Sequence, residues 1–174
     1  VLKFRFDLPI TQTWACLQTA KAWRGVSVPK VLLVEDNKLN RMASERSLAK
    51  AGYRVVSAHD GEQALEMAER ELPDVILLDM MLPKLSGPEV LKQLKRNPVT
   101  ARIPVIVLTG LSQKNEARLR EEGATAFAEK SAVLDKPEFL LNLIRESLRK
   151  VGAPTERSAL LENTSVPSTL RPIQ

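Results

Sequence analysis

The sequence predicts an α/β fold, a doubly wound five-stranded parallel sheet with helices on both faces. Between Lys30 and Lys150, short β-rich runs alternate five times with longer helical patterns, and repeated strand-then-helix order lays the strands parallel. Most of those runs are continuously apolar rather than alternating, as strands covered on both faces require. A chain of 174 residues, 44% hydrophobic and 27% charged, is long enough for one such domain of about 100–150 residues plus extensions.

The first strand is expected at Lys30–Glu35, followed by a helix over about 38–51. That helix is weakly marked, with Leu39, Ala43, Leu48 and Ala51 on its inner face, and Gly52 stands where it should end. A second strand at Arg54–Ser57 precedes a helix over about 60–71. The third strand, Asp74–Leu78, closes on Asp79, after which Pro83 and Gly87 force a turn into a helix over about 86–96. The fourth strand, Ile103–Leu108, leads to a helix over about 112–122 ended by Gly123. The fifth strand is expected at Ala124–Ala128 and the last helix over about 134–150. This last helix is the clearest, with Phe139, Leu140, Leu143, Ile144 and Leu148 as an apolar stripe and Pro137 in its first turn.

The flanks differ in kind. Residues 1–10 alternate apolar and polar and read as one half-buried strand whose partner sheet lies outside this chain. Residues 11–29 read as a linker in which Trp14, Cys16 and Trp23 pack, and residues 151–174, with Pro154, Pro167 and Pro172, read as a disordered tail. The start at Val1 suggests a segment of something longer. A lone cysteine excludes an internal disulfide and any multi-cysteine metal site. No signal-peptide pattern is present and no run nears the roughly 18–20 apolar residues needed to span a membrane, so a cytoplasmic segment is expected. The net charge of +5 places +3 in residues 1–29 and leaves the rest interspersed, and only 4% of residues are aromatic. Neither feature suits a nucleic-acid surface.

In open parallel sheets, ligands bind at the carboxyl ends of the strands, where the strand order reverses. In the flavodoxin-like order 2-1-3-4-5, Glu35 and Asp36 end the first strand, Asp79 the third, Thr109 the fourth and Lys130 the fifth. Those strands are neighbours, and only the edge strand lacks such a group, ending in His59 and Asp60. Three crowded carboxylates repel, by roughly 4 kcal/mol per pair at about 4 Å and an effective dielectric near 20. Hard oxygens around an open cation position suit Mg²⁺. Asp79 would then act as the nucleophile that becomes an aspartyl phosphate, with Mg²⁺ and Lys130 offsetting charge on the transferring oxygens and Thr109 hydrogen-bonding the product. Asp36 also precedes a helix and has the chemistry of a cap.

Four stretches, Val-Glu-Asp-Asn (34–37), Leu-Leu-Asp-Met-Met-Leu-Pro (77–83) with Gly87, Val-Leu-Thr-Gly (107–110) and Gly-Ala-Thr-Ala-Phe-Ala-Glu-Lys (123–130), make residues 30–150 resemble a response-regulator receiver domain. The resemblance implies Asp79 as phosphoacceptor and Glu35 and Asp36 as the acidic pair. It implies Met81 as an Mg²⁺ ligand through its backbone carbonyl, Thr109 as the switch hydroxyl, Phe127 as the switch aromatic and Lys130 as the phosphate-sensing cation. The donor would be a phosphohistidine on a histidine kinase or phosphotransfer domain, and the output face the fourth helix, fifth strand and fifth helix. The chain departs from the family at Ser131, where Pro usually follows the lysine, often in a cis peptide. A cis bond there would cost about 2.5–4 kcal/mol, which leaves the geometry of that loop open. Lys136-Pro137 is a rival Lys-Pro pair, but it lies six residues further on and lacks the Gly-Ala-x-x-Phe lead-in.

Val1–Ile10 is similar to the closing strand of a histidine-kinase ATP-binding domain, and Leu39-Asn40-Arg41 resembles the receivers of hybrid kinases. Two other readings therefore stand beside the phosphoacceptor. One is the C-terminal fragment of a hybrid kinase, which an in-frame kinase core upstream would reveal. The other is a phosphorylation-independent interaction module, which partner binding unchanged in Asp79→Ala would reveal.

Overall fold

The computed structural model describes residues 28–110, 116–131 and 136–151; the strand, linker and tail expected at the two ends lie outside them. The ten elements alternate as β1 (Lys30–Val34), α1 (Lys38–Lys50), β2 (Arg54–Ala58), α2 (Gly61–Glu71), β3 (Val75–Asp79), α3 (Gly87–Arg96), β4 (Val105–Thr109), α4 (Glu116–Glu121), β5 (Ala126–Glu129) and α5 (Pro137–Val151). All four strand pairings are parallel, and the sheet runs β2-β1-β3-β4-β5. The parallel fold is the one the alternation predicts, and the strand order is the flavodoxin-like 2-1-3-4-5 expected for it.

Side-chain alternation along each strand divides the apolar runs between two cores. Val31, Leu33, Val75, Leu77, Ile106 and Leu108 face one side, where Leu48 of α1 and Leu140, Ile144 and Leu148 of α5 cover them. Leu32, Val34, Ile76, Leu78, Val105 and Val107 face the other, under Ala64 and Ala68 of α2, Val90, Leu91 and Leu94 of α3 and Leu119 of α4. Each fully buried Leu or Ile stabilises by about 1.5–3 kcal/mol relative to exposure, so both layers hold the sheet from which the site projects. Gly52 and Gly123 follow α1 and α4 at φ 88° and 101°, the left-handed conformation that ends a helix.

Several local expectations are corrected. Leu39 is 77% exposed and Ala43 is also outside the core, so α1 buries only Leu48 fully. Phe139 is 45% exposed, because the stripe that meets the sheet runs through Leu140, Ile144 and Leu148, with Ser147 buried beside them. The fourth and fifth strands start at Val105 and Ala126, two residues later than their apolar runs suggest, because Pro104 and Thr125 serve as the approach to the ladder. The N-cap of α1 is Asn37 and not Asp36: the Asn37 side-chain oxygen accepts from the Leu39 and Asn40 N–H groups at 2.9 and 3.2 Å. Among the described residues, no helix is long and apolar enough to cross a membrane.

Candidate functional site

The parallel sheet sets its carboxyl-terminal ends side by side. Val34 pairs with Ala58 on one flank and Leu78 on the other, and Asp79 pairs with Leu108, so the residues after β1, at the end of β3 and at the end of β4 share one rim. The chain leaves β1 through Glu35, whose N–H donates to the Ala58 carbonyl at 3.1 Å. Arg41, one turn into α1, donates to the carbonyls of Glu35 and Asp36 at 2.8 and 3.2 Å, which ties the acidic turn to its helix.

Three carboxylates meet there. Glu35 is 4% exposed and Asp79 1%, whereas Asp36 is open to solvent. One oxygen from each lies within 4.8 Å of the others. From the far side Lys130 bridges the two buried acids: its Nζ stands 3.0 Å from Glu35 Oε2 and makes a short hydrogen bond to Asp79 Oδ2. Burial pushes the Lys130 pKa down, but the hydrogen bonds and charges of Asp79 and Glu35 outweigh it and hold the ammonium above the ordinary lysine value. The other Asp79 oxygen accepts the Met81 N–H at 3.0 Å, and Glu35 Oε1 accepts the Asn37 N–H at 3.3 Å. Three formal negative charges therefore face one ammonium, and the donor set is all hard oxygen with one side open to water. That combination fits a small divalent cation.

The residue after the lysine does not displace it. Among the described residues no peptide is cis, and Ser131 turns its hydroxyl to Glu129 Oε1 at 2.7 Å while Lys130 reaches inward. The rival Lys136 lies exposed at the start of α5. Thr109 ends β4 half-buried, and Phe127 in β5 is half-buried with the Arg120 guanidinium 5.0 Å from its ring centre. Both line a cavity of about 460 Å³, with Met80, Met81 and Leu119 among its other walls. Met81 is 72% exposed and follows Asp79 by two residues, its backbone held by the Asp79 carboxylate.

Residues outside the acidic cluster also shape the site, and the sequence does not reveal what they contact. Gly87 opens α3 directly against the end of β3; a Cβ there would meet Met80 Cα at 2.5 Å and the Asp79 carbonyl, so only glycine lets the helix sit this close. Its N–H donates to the Met80 carbonyl at 3.2 Å. Asp60 is 2% exposed at the start of α2, where Oδ1 accepts the Gln63 N–H at 2.8 Å and Oδ2 the Lys84 ammonium at 2.6 Å. The Gln63 N–H and then Lys84 hold the Asp60 carboxyl below the ordinary aspartate value. His59 is mostly exposed, with Nε2 3.6 Å from Asp60 Oδ2.

The chain resembles known proteins over this same stretch. A family model for the response regulator receiver domain matches residues 31–145. The polar-differentiation response regulator DivK of Brucella anthropi is 37% identical over 115 residues, 65% of this chain and 92% of that one. Among solved structures, the receiver domain of sensor histidine kinase PA1611 from Pseudomonas aeruginosa PAO1, which holds a magnesium ion in its active-site cleft, is 31% identical. It superposes with a TM-score of 0.63 over 70% of this chain and 98% of that one. A CheY-like receiver from Methanospirillum hungatei superposes at 0.66 with 26% identity, over 72% of this chain and 97% of its own.

Proposed function

This chain belongs to the response regulator receiver domain family, and we propose that Asp79 is the residue on which it accepts a phosphoryl group from a phosphohistidine. The observation that carries the proposal is Lys130: one ammonium spans the two buried carboxylates Asp79 and Glu35, with Asp36 completing the cluster. Lys130 draws Asp79 Oδ2 to one side, and the Met81 N–H fixes Oδ1, so the carboxylate is oriented before a donor arrives.

An Asp79 oxygen attacks phosphorus, the phosphorus–nitrogen bond of the phosphohistidine breaks, and the imidazole leaves with the bonding pair. Lys130 follows the charge from the carboxylate to the phosphoryl oxygens, and the Thr109 hydroxyl donates to one of them. Mg²⁺, held by Glu35, Asp36, Asp79 and the Met81 backbone carbonyl, would offset the remaining charge on those oxygens. Acceptance adds a charge of about −1.5 to −2 at Asp79. Thr109 and Phe127 flank one cavity, so a Thr109 drawn toward the phosphoryl group frees space for the ring. That repacking biases the face formed by α4, β5 and α5, where an output partner would dock. The donor is a histidine kinase or a phosphotransfer domain, and the relay works in the cytoplasm, where an ATP-charged donor is made. The likeness of residues 1–10 to a kinase ATP-binding strand supports a hybrid-kinase origin, which sequencing upstream of Val1 tests.

The decisive experiment is incubation with acetyl phosphate, with and without Mg²⁺, followed by intact-mass measurement. The protein should gain one phosphoryl group only with Mg²⁺, and Asp79→Asn should gain none. Equal gain by Asp79→Asn would refute the assignment.

A further inference from the structure

The loop from Met80 to Ser86 carries the residue that touches Asp79, yet most of it is solvent-facing. Several hydrogen bonds fasten it. Met81 N–H donates to Asp79 Oδ1 at 3.0 Å, Gly87 N–H to the Met80 carbonyl at 3.2 Å, and the Lys84 ammonium to Asp60 Oδ2 at 2.6 Å. Met80 N–H also reaches the Leu108 carbonyl of β4 at 3.4 Å, and the Lys84 contact ties the loop to the start of α2. There the chain also packs closely: a Cβ on Gly61 would stand 2.4 Å from the Leu85 carbonyl oxygen and 2.7 Å from Val90 Cγ2.

Lys84 holds this contact from an unfavourable backbone. Its φ is 64°, a region L side chains rarely adopt and one that glycine enters freely. A lysine at such a position is explained by what its side chain reaches. Asp60 is equally committed, with one oxygen capping α2 and the other on Lys84, and it is buried although it belongs to no strand end of the acidic cluster. The pairing holds Asp60 below its ordinary pKa, and the Asp60 hydrogen bond holds Lys84 above its own.

We propose that Asp60 and Lys84 form a positioning latch that locks the β3–α3 loop, so that the Met81 backbone is preset for the cation at the Glu35–Asp36–Asp79 cluster. The proposal rests on the phosphoacceptor reading above. Neither residue touches the reacting atoms; both act through the loop. The latch lowers the concentration of Mg²⁺ at which Asp79 accepts a phosphoryl group and leaves the rate at saturating Mg²⁺ nearly unchanged.

The effect has a sign that separates it from simple electrostatics. Through-space charge effects would make Lys84→Met bind a cation more tightly and Asp60→Asn more weakly, because one variant removes a positive charge and the other a negative one. A latch weakens both. Asp60→Asn retains a side-chain oxygen suited to the helix cap, so its effect isolates the ion pair.

The test is titration of the full chain and its variants with magnesium chloride, followed by NMR amide shifts of Met81 and Lys130, beside acetyl phosphate rates over the same Mg²⁺ range. Lys84→Met and Asp60→Asn should each raise the Mg²⁺ dissociation constant by about tenfold, the lower end of what outer-shell partners contribute. The double variant should be no worse than either single one, and Lys84→Arg should restore binding. Lys84→Gly relieves the backbone but removes the latch, so it should unfold no more easily than the parent and still bind Mg²⁺ as weakly as Lys84→Met. Opposite signs for the two single variants, or unchanged Mg²⁺ binding in both, would overturn the latch while leaving the acceptor site intact. A parent chain that neither binds Mg²⁺ nor gains a phosphoryl group would instead overturn the acceptor reading, and the latch with it.

Discussion

Replacing Lys130 by methionine keeps most of the stem and removes the ammonium between Asp79 and Glu35. Those carboxylates are 1% and 4% exposed, so little water reaches them to take over its role. Their nearest ligand oxygens lie within 4.8 Å, a separation at which two like charges repel by about 3.5 kcal/mol at an effective dielectric near 20. The lysine side chain is itself 25% exposed, and solvent screening reduces the expected loss to about 2–3 kcal/mol at neutral pH. Urea unfolding without divalent cations measures it. Because folding raises the Lys130 pKa, its contribution is complete below the ordinary value of 10.5 and is lost as pH rises through the folded value. The gap between parent and variant should therefore be flat through neutral pH and close only in strong alkali. Mg²⁺ should narrow it, since a cation at the cluster supplies the missing charge. A loss below about 0.5 kcal/mol, the level of an ordinary surface substitution, or a gap indifferent to Mg²⁺, would refute the reasoning.

Three further outcomes follow from the same structure. Asp60→Ala should cost about 1–2 kcal/mol at neutral pH through the lost cap. Because folding depresses the Asp60 pKa, that difference is present above the ordinary 3.8 and vanishes as pH falls through the folded value, which unfolding across an acid pH series would show. Gly87→Ala should cost about 1–3 kcal/mol by overpacking and also slow phosphoryl acceptance, since the added methyl pushes on Met80 and the Asp79 carbonyl; melting and acetyl phosphate kinetics read the two effects separately. Ile144→Ala empties a fully buried position on the α1–α5 face and should cost about 2–5 kcal/mol. Below its melting range it should still gain a phosphoryl group.

The sheet and its acidic rim were legible because both obey strong local rules. Val31–Val34, Val75–Leu78 and Val105–Leu108 are continuous apolar runs, the signature of strands covered on both faces, and Asp79 is conspicuous for closing one of them. What stayed hidden depends on how elements meet. Phe139 has the right spacing for the inner stripe of α5, but the line that meets the sheet passes through Leu140, Ile144 and Leu148, and nothing in the period chooses between them. Leu39 looks like a core residue and is exposed, because α1 turns only a narrow face inward. The Asp60–Lys84 pair spans 24 residues. An aspartate before glycine reads as a helix start, and no sequence rule announces a lysine at positive φ. Asn37 likewise took the cap that Asp36 was suited to, and the Asp36 carboxylate stands in the acidic cluster with Glu35 and Asp79.

The central claim is that the phosphoryl group rests on Asp79. Borohydride reduction of the acetyl phosphate-treated protein converts an aspartyl phosphate to homoserine, and peptide mass mapping then locates it. Homoserine at position 79 and at no other carboxylate, absent when Mg²⁺ is withheld, is the result expected. Homoserine at Asp36, the longer alcohol 2-amino-5-hydroxyvaleric acid at Glu35, or no reduced residue anywhere after a confirmed mass gain, would contradict it.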